Sequence, residues 1–166
     1  YLNRAAEKCT YRLMSPDIVM EMSAEYDVNP YLVAAVIHCE SSNNKEAVSP
    51  VGAMGLMQIM PDTGGWIAEK LEMEDFTEKQ LFEPETNIRF GCWYLNYLSD
   101  KFDGNRISVL AAYNGGPGNV EKWLNDERYS QGGQLTDIPF PETERYIEKV
   151  QRAYEKYLTL YEKELS

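Results

Sequence analysis

Apolar residues recur along this chain at spacings of three and four, the period of one buried helix face, and rarely alternate. Ser15-Pro16-Asp17 predicts a helix start, with a hydroxyl able to cap, proline at the first helical position and an acid in the first turn. Ile18, Met22 and Tyr26 continue it at four-residue intervals. Asn29-Pro30 restarts the chain, and Tyr31–Glu40 predicts a second helix, more apolar and so more deeply buried. From Ser41 to Gly55 the period is lost among Asn43-Asn44, Ser49-Pro50 and two glycines, which predicts a loop or short irregular segment. Pro61-Asp62 opens a helix through Trp66, Ile67 and Leu71. Gly64-Gly65 weakens it by about 1 kcal/mol per residue relative to alanine.

Pro84-Glu85-Thr86 opens the longest central helix, with Ile88, Gly91-Cys92, Leu95 and Leu98 on one stripe. Asp103-Gly104-Asn105 is a turn, and Ile107–Tyr113 a short apolar helix. Asn114-Gly115-Gly116-Pro117-Gly118 breaks that helix, and Val120–Leu124 resumes. Tyr129–Leu135 is the most loop-like stretch. Pro141-Glu142-Thr143 opens a last helix carrying Tyr146, Val150, Tyr154 and Leu158. There is no repeat, no interdomain linker and no alternating run long enough to predict a strand. A chain of 166 residues suits one domain. The expected fold is mainly α: one compact helical domain over residues 1–166 with little or no strand.

Charge narrows the function. Sixteen Lys and Arg against 27 Asp and Glu give a net charge of −11. That argues against a nucleic-acid partner, which needs a basic stripe, and against a polybasic membrane-surface protein. The longest apolar run, Tyr31–Ile37, is too short to span a bilayer. No secretory apolar region opens the chain, so any signal or anchor is expected to have been removed or never to have existed.

Histidine and cysteine counts exclude more. The single His38 removes zinc proteases, zinc deaminases and most triad hydrolases. His38 and Cys39 are adjacent and cannot face each other on a helix, so they are not a base–nucleophile couple. Cys9, Cys39 and Cys92 hold no metal-ligand spacing. A single bridge stays open, but free thiols buried in the core are expected. Neither a metal nor a cofactor is implied.

Glu40 is the candidate reactive group. Val33, Val36 and Ile37 precede it by seven, four and three positions and share its helix face. A carboxylate ending an apolar stripe, near the negative end of a helix dipole, is disfavoured in its charged form, so its pKa should rise. A carboxylic acid held protonated near neutral pH is what general-acid catalysis needs. Periodicity alone also allows a solvated glutamate at a frayed helix end.

Glu40 belongs to the first of four blocks. Glu40-Ser41-Ser42 is followed by Ala47-Val48-Ser49-Pro50-Val51-Gly52-Ala53-Met54-Gly55-Leu56-Met57-Gln58-Ile59-Met60-Pro61. Then come Ala111-Ala112-Tyr113-Asn114-Gly115-Gly116-Pro117-Gly118 and Ile138-Pro139-Phe140-Pro141-Glu142-Thr143-Glu144-Arg145-Tyr146. In that order and at those distances, from about residue 28 to 157, the chain resembles the Slt-type lytic transglycosylases. These enzymes cleave bacterial peptidoglycan and have a helical fold similar to goose-type lysozyme.

The resemblance implies that Glu40 is the sole catalytic glutamate. It implies that Ser49 touches substrate near the reacting sugar, and that Gln58 and Met60 line the groove. Tyr113 and Asn114 would line the sugar site, and Tyr146 would stand near the acid. Met57 reads as core, and Glu142 and Asp62 as first-turn acids of their helices. The glycine-rich 115–118 stretch is not a phosphate loop, because no Gly-Lys-Ser/Thr follows. Ser42-Asn43-Asn44, Gly64 and Gly115-Gly116 depart from the family's usual residues; none touches Glu40.

The chemistry implied is non-hydrolytic cleavage of the β-1,4 bond between N-acetylmuramic acid and N-acetylglucosamine, leaving a 1,6-anhydro product. The implied partners are peptidoglycan glycan strands and possible cell-envelope machinery, and the implied location is extracytoplasmic. Two alternatives stay open: a goose-type-like muramidase that hydrolyses the same bond, and a peptidoglycan-binding module without turnover.

Overall fold

Six of the eight prolines stand in the first turn of a helix, where the missing N–H removes no hydrogen bond and the fixed φ favours helical entry. The computed structural model describes residues 2–166. In chain order, α1 is Leu2–Thr10, α2 Pro16–Glu25, α3 Pro30–Ser41 and α4 Pro61–Lys70. A 3₁₀ turn at Glu78–Phe82 precedes α5 (Pro84–Lys101), α6 (Arg106–Gly115) and α7 (Pro117–Leu124). A hairpin of β1 (Ser130–Gln131) and β2 (Gln134–Leu135) leads into α8 (Pro141–Leu160). The fold is mainly α, as expected.

Asparagine side chains close two of the helix starts. Asn29 Oδ1 accepts from the backbone N–H of Tyr31 (2.9 Å) and Leu32 (3.3 Å), and Asn105 Oδ1 from Ser108 (3.0 Å). The expected hydroxyl cap at Ser15 does not form. Its backbone is left-handed (φ 51, ψ 51), so its side chain makes no capping bond and Pro16 alone marks the start. Between α6 and α7, Gly116 at φ 90 makes the sharp break.

Helix α3 is the axis of the core. Leu32 to Ile37 are all buried, because α3 packs along α8 on one side and against α2 on another. Helix α5 joins α2 to α6, and α6 rests on α7 and α8. On α8 the buried line runs Thr143, Tyr146, Ile147, Val150, Ala153, Tyr157, Leu160, mostly in steps of three with one of four. A pure four-residue series drifts around a 3.6-residue helix. Tyr154 and Leu158, expected on the stripe, therefore lie at its half-buried flank. There the Arg106 guanidinium sits 4.2 Å from the Tyr154 ring centre.

Besides the 3₁₀ turn, two elements were not expected. Helix α1 is joined to the C-terminal part by Lys156–Glu7 (2.7 Å) and Lys8–Glu164 (3.0 Å). The hairpin replaces the loop expected at 129–135, with Gly132-Gly133 at φ 60 and 76 making its tight turn. The cysteines are all free. Cys92 is buried and Cys39 half-buried, but Cys9 is exposed on α1, contrary to the expectation of a core position. Burial pushes the Cys92 thiol up to about 12 and the Cys39 thiol to about 11, so neither is a ready nucleophile. Among the described residues, no helix is long and apolar enough to cross a membrane.

Candidate active site

The last turn of α3 presents Glu40. Ser42, left-handed at φ 51, ends the helix with its N–H bonded to the His38 carbonyl at 3.0 Å. Val33, Val36 and Ile37 are buried on the same side. They hold the half-buried carboxyl at the rim of the core. Burial raises its pKa from 4.5 to about 7. Two groups oppose that rise: the Tyr146 hydroxyl, which donates to Glu40 Oε2 at 3.4 Å, and the positive charge of Lys149. Both come from α8, whose packing on α3 brings residues 106 positions apart into contact.

Tyr113, at the end of α6, completes the cluster. Its hydroxyl donates to the Met57 carbonyl at 2.7 Å. Burial, then the nearby Glu40 charge, holds the Tyr113 and Tyr146 hydroxyls well above the usual tyrosine range. Both stay neutral donors. Replacing Tyr146 with Phe removes the bond that favours the ionised Glu40. The Glu40 pKa should then rise further above 7, read by carbon-detected NMR titration of its carboxyl; an unchanged or lower value would contradict this geometry.

Asn114 follows Tyr113 and faces α8. Thr143, buried, donates its hydroxyl to Asn114 Oδ1 at 2.8 Å, which orients the amide and leaves its N–H₂ for a ligand. A cleft of about 380 Å³ opens there, lined by Asn114, Gly115, Phe140, Pro141, Glu142 and Thr143.

The loop after α3 is folded on itself. Ser49 exchanges two bonds with Ala53: its N–H donates to the Ala53 carbonyl at 2.9 Å and its Oγ accepts from the Ala53 N–H at 3.0 Å. Met54 bridges to both Val48 and Ile59. The Gln58 amide nitrogen donates to the carbonyls of Ala47 (3.1 Å) and Gly55 (2.9 Å), with the Gln58 backbone left-handed at φ 52. Its amide oxygen is the end left for a ligand. Met57 is fully buried, while Met60 is 40% exposed at the start of α4.

Beneath this loop lies a residue that the motif reading missed. Asn87 on α5 is 0% exposed. It accepts from the Met57 N–H at 2.7 Å and donates to the carbonyls of Met54 (2.9 Å) and Leu81 (2.7 Å). Gly55, at φ +78, comes so close to the Leu81 carbonyl and the Asn87 amide that a Cβ would overlap both. The signal for Asn87 was present: it precedes Gly91 and Leu95 by four and eight positions, on the apolar stripe. A polar side chain on a buried stripe must find partners.

The tertiary structure thus gathers Glu40, Tyr113 and Tyr146, with Asn114 in the adjoining cleft. Ser49, Gln58 and Met60 lie on the following loop, and none makes a polar contact with Glu40. Thr143, Asn87 and Lys149 are the supporting residues that the motifs did not reveal.

Known proteins resemble this chain in sequence and in fold. A family model described as the transglycosylase SLT domain matches residues 17–135, from α2 through the hairpin. The soluble lytic murein transglycosylase of Salmonella typhimurium is 40% identical over 144 residues, 85% of this chain and 22% of that protein. Membrane-bound lytic murein transglycosylase C of Yersinia pestis is 32% identical over 162 residues, 84% of this chain and 45% of that protein. Among solved structures, the 70-kDa soluble lytic transglycosylase of Escherichia coli superposes with a TM-score of 0.84 at 33% identity, over 92% of this chain and 25% of that one. The chain therefore spans only a part of the length of these relatives. It belongs to the transglycosylase SLT domain family.

Proposed function

We propose that this member of the SLT family is a lytic murein transglycosylase domain. It would cleave the β-1,4 bond between N-acetylmuramic acid and N-acetylglucosamine in peptidoglycan glycan strands without consuming water. The observation that carries the reading is the state of Glu40: one carboxyl with its pKa raised to about 7, touched by the neutral Tyr146 hydroxyl. About half of it is protonated at neutral pH, so it can give a proton and take one back.

In the first step the Glu40 proton goes to the glycosidic oxygen. The C1–O bond breaks, N-acetylglucosamine leaves with its new hydroxyl, and positive charge develops at muramic C1. In the second step the muramic C6 hydroxyl attacks C1 and gives its proton to the Glu40 carboxylate. The 1,6-anhydro ring closes and Glu40 is an acid again. The attacking hydroxyl belongs to the same sugar, so its effective concentration exceeds that of any solute. Two-carboxylate glycosidases need a second acid near the bond. Among the described residues, the charge that acts on Glu40 is the Lys149 cation, not another carboxylate.

In this reading Tyr146 steadies the ionised intermediate state of Glu40. Asn114, Ser49 and Gln58 meet hydroxyl and acetamido groups, and Tyr113 and Met60 line the groove. Neither a metal nor a cofactor is required. The substrate places the working site outside the cytoplasmic membrane.

Activity on peptidoglycan should track the protonated fraction of Glu40. The value of kcat/KM is expected to be level below pH 6 and to fall about tenfold per unit well above pH 7. A flat profile from pH 5 to 9 would remove Glu40 as the acid. The reaction itself is tested by mass spectrometry of soluble products from purified peptidoglycan. Anhydro-muropeptides are expected; reducing-end muropeptides would mean hydrolysis, and no release would mean a binding module.

A further inference from the structure

Five aromatic rings run in an unbroken series away from Glu40. Tyr113 on α6 meets Tyr94 on α5 at 5.7 Å between ring centres. Tyr94 lies nearly parallel to Tyr97, at 19° and 6.1 Å, and Tyr97 nearly parallel to Trp93, at 7° and 5.5 Å. The spacings of three and four put Trp93, Tyr94 and Tyr97 on one face of α5. Trp66 from α4 crosses them edge-on, 5.1 Å from Trp93 and 5.0 Å from Tyr97.

This cluster is not sealed into the core. All five rings are only half-buried. The hydroxyls of Tyr113, Tyr146, Tyr157 and Tyr161 are each bonded within the protein. Among the described residues, the hydroxyls of Tyr94 and Tyr97 and the indole N–H groups of Trp66 and Trp93 have no such partner. They are not shut away from solvent either, since among the described residues the only enclosed, unbonded side-chain polar atom is Ser23 Oγ. The result is a half-buried aromatic patch with free polar ends, joined to the candidate site through Tyr113. A pyranose ring has the matching form: an apolar C–H face bordered by hydroxyl and acetamido groups.

We propose that Trp66, Trp93 and Tyr97 form a distal stacking subsite for N-acetylhexosamine units of the same glycan strand that Glu40 cleaves. Tyr94 and Tyr113 connect the two. The proposal rests on the function given above and deepens it: affinity should depend on strand length, because a short fragment fills the cleft and a long one reaches the aromatic platform as well.

The test uses this chain carrying Glu40→Gln, with N-acetylglucosamine dimer and hexamer as soluble probes. In ¹⁵N–¹H spectra the hexamer should move the indole signals of Trp66 and Trp93 together with the Asn114 side-chain amide. Movement of Asn114 with both indoles unmoved would overturn the platform and leave the catalytic reading standing. No movement at either place would overturn both. In the same background, Trp66→Leu/Trp93→Leu should weaken hexamer binding by about tenfold, the scale of lost aromatic stacking, and dimer binding far less. Equal losses for both lengths, or none, would overturn the proposal. The spectra of the chain with both tryptophans intact decide the matter even if that double variant folds poorly.

Discussion

Glu40→Gln is expected to lower turnover on peptidoglycan by at least ~10²–10⁴-fold, the usual contribution of a general acid–base group, while leaving the fold intact. Glutamine keeps the shape of the side chain and a polar oxygen for the Tyr146 hydroxyl, now 3.4 Å from Glu40 Oε2. It cannot give or take the proton. The same substitution should stabilise the protein above neutral pH. Glu40 has a higher pKa folded, about 7, than its ordinary 4.5, so the folded state holds the proton more tightly. Its contribution is intact below pH 4.5 and is lost as the pH rises through 7. Above that, folding carries a buried charge that glutamine avoids, costing at most about 3 kcal/mol and less where water reaches the side chain. Denaturant unfolding should show the variant and the original chain alike near pH 4 and the variant more stable at pH 8. Wild-type-like turnover in Glu40→Gln would remove the catalytic assignment. Equal stability at pH 4 and 8 would remove the buried-acid account of its pKa.

Asn87→Ala is expected to destabilise the fold by about 3–4 kcal/mol, because it strips partners from three enclosed backbone groups at once. The Met57 N–H and the Met54 and Leu81 carbonyls all bond this one side chain at 2.7–2.9 Å. No water-exposed alternative is at hand for a residue that is 0% exposed. The loop that carries Ser49, Gln58 and Met60 should loosen with it. Activity should therefore fall even at temperatures where the variant is folded, and the Met57 amide proton should exchange faster with solvent. A loss below about 1 kcal/mol would mean that the loop is held by its own bridges and the Gln58 bonds instead.

These two residues mark the limits of what could be read from the sequence. Glu40 was legible because its signal is local: apolar residues seven, four and three positions earlier on one helix, then a break. Five of the six helix starts at prolines were legible for the same reason, whereas Pro117 was read as part of a break and its helix expected only from Val120. Asn87 was half legible, since its place on an apolar stripe marks it as buried but not what it binds. Its partners lie 30 and 33 residues away on the loop and six residues back at Leu81. The left-handed Ser15 shows the converse error, where a good local cap residue takes another conformation. Helix α1 was missed because its pattern is mostly polar; ion pairs to the C-terminal part attach it.

The amino-acid pattern by itself determined the helical class, most helix starts, and the candidate carboxyl with the motif blocks around it. Each of these depends on residues within a turn or two of one another, and short-range geometry follows from the chain alone. Only the tertiary structure decided that Tyr146, 106 residues on, touches Glu40, that Thr143 orients Asn114, and that rings from α4, α5 and α6 form one series. Those contacts follow from how the helices pack, and packing is settled by the joint filling of one core rather than by any single stretch of sequence.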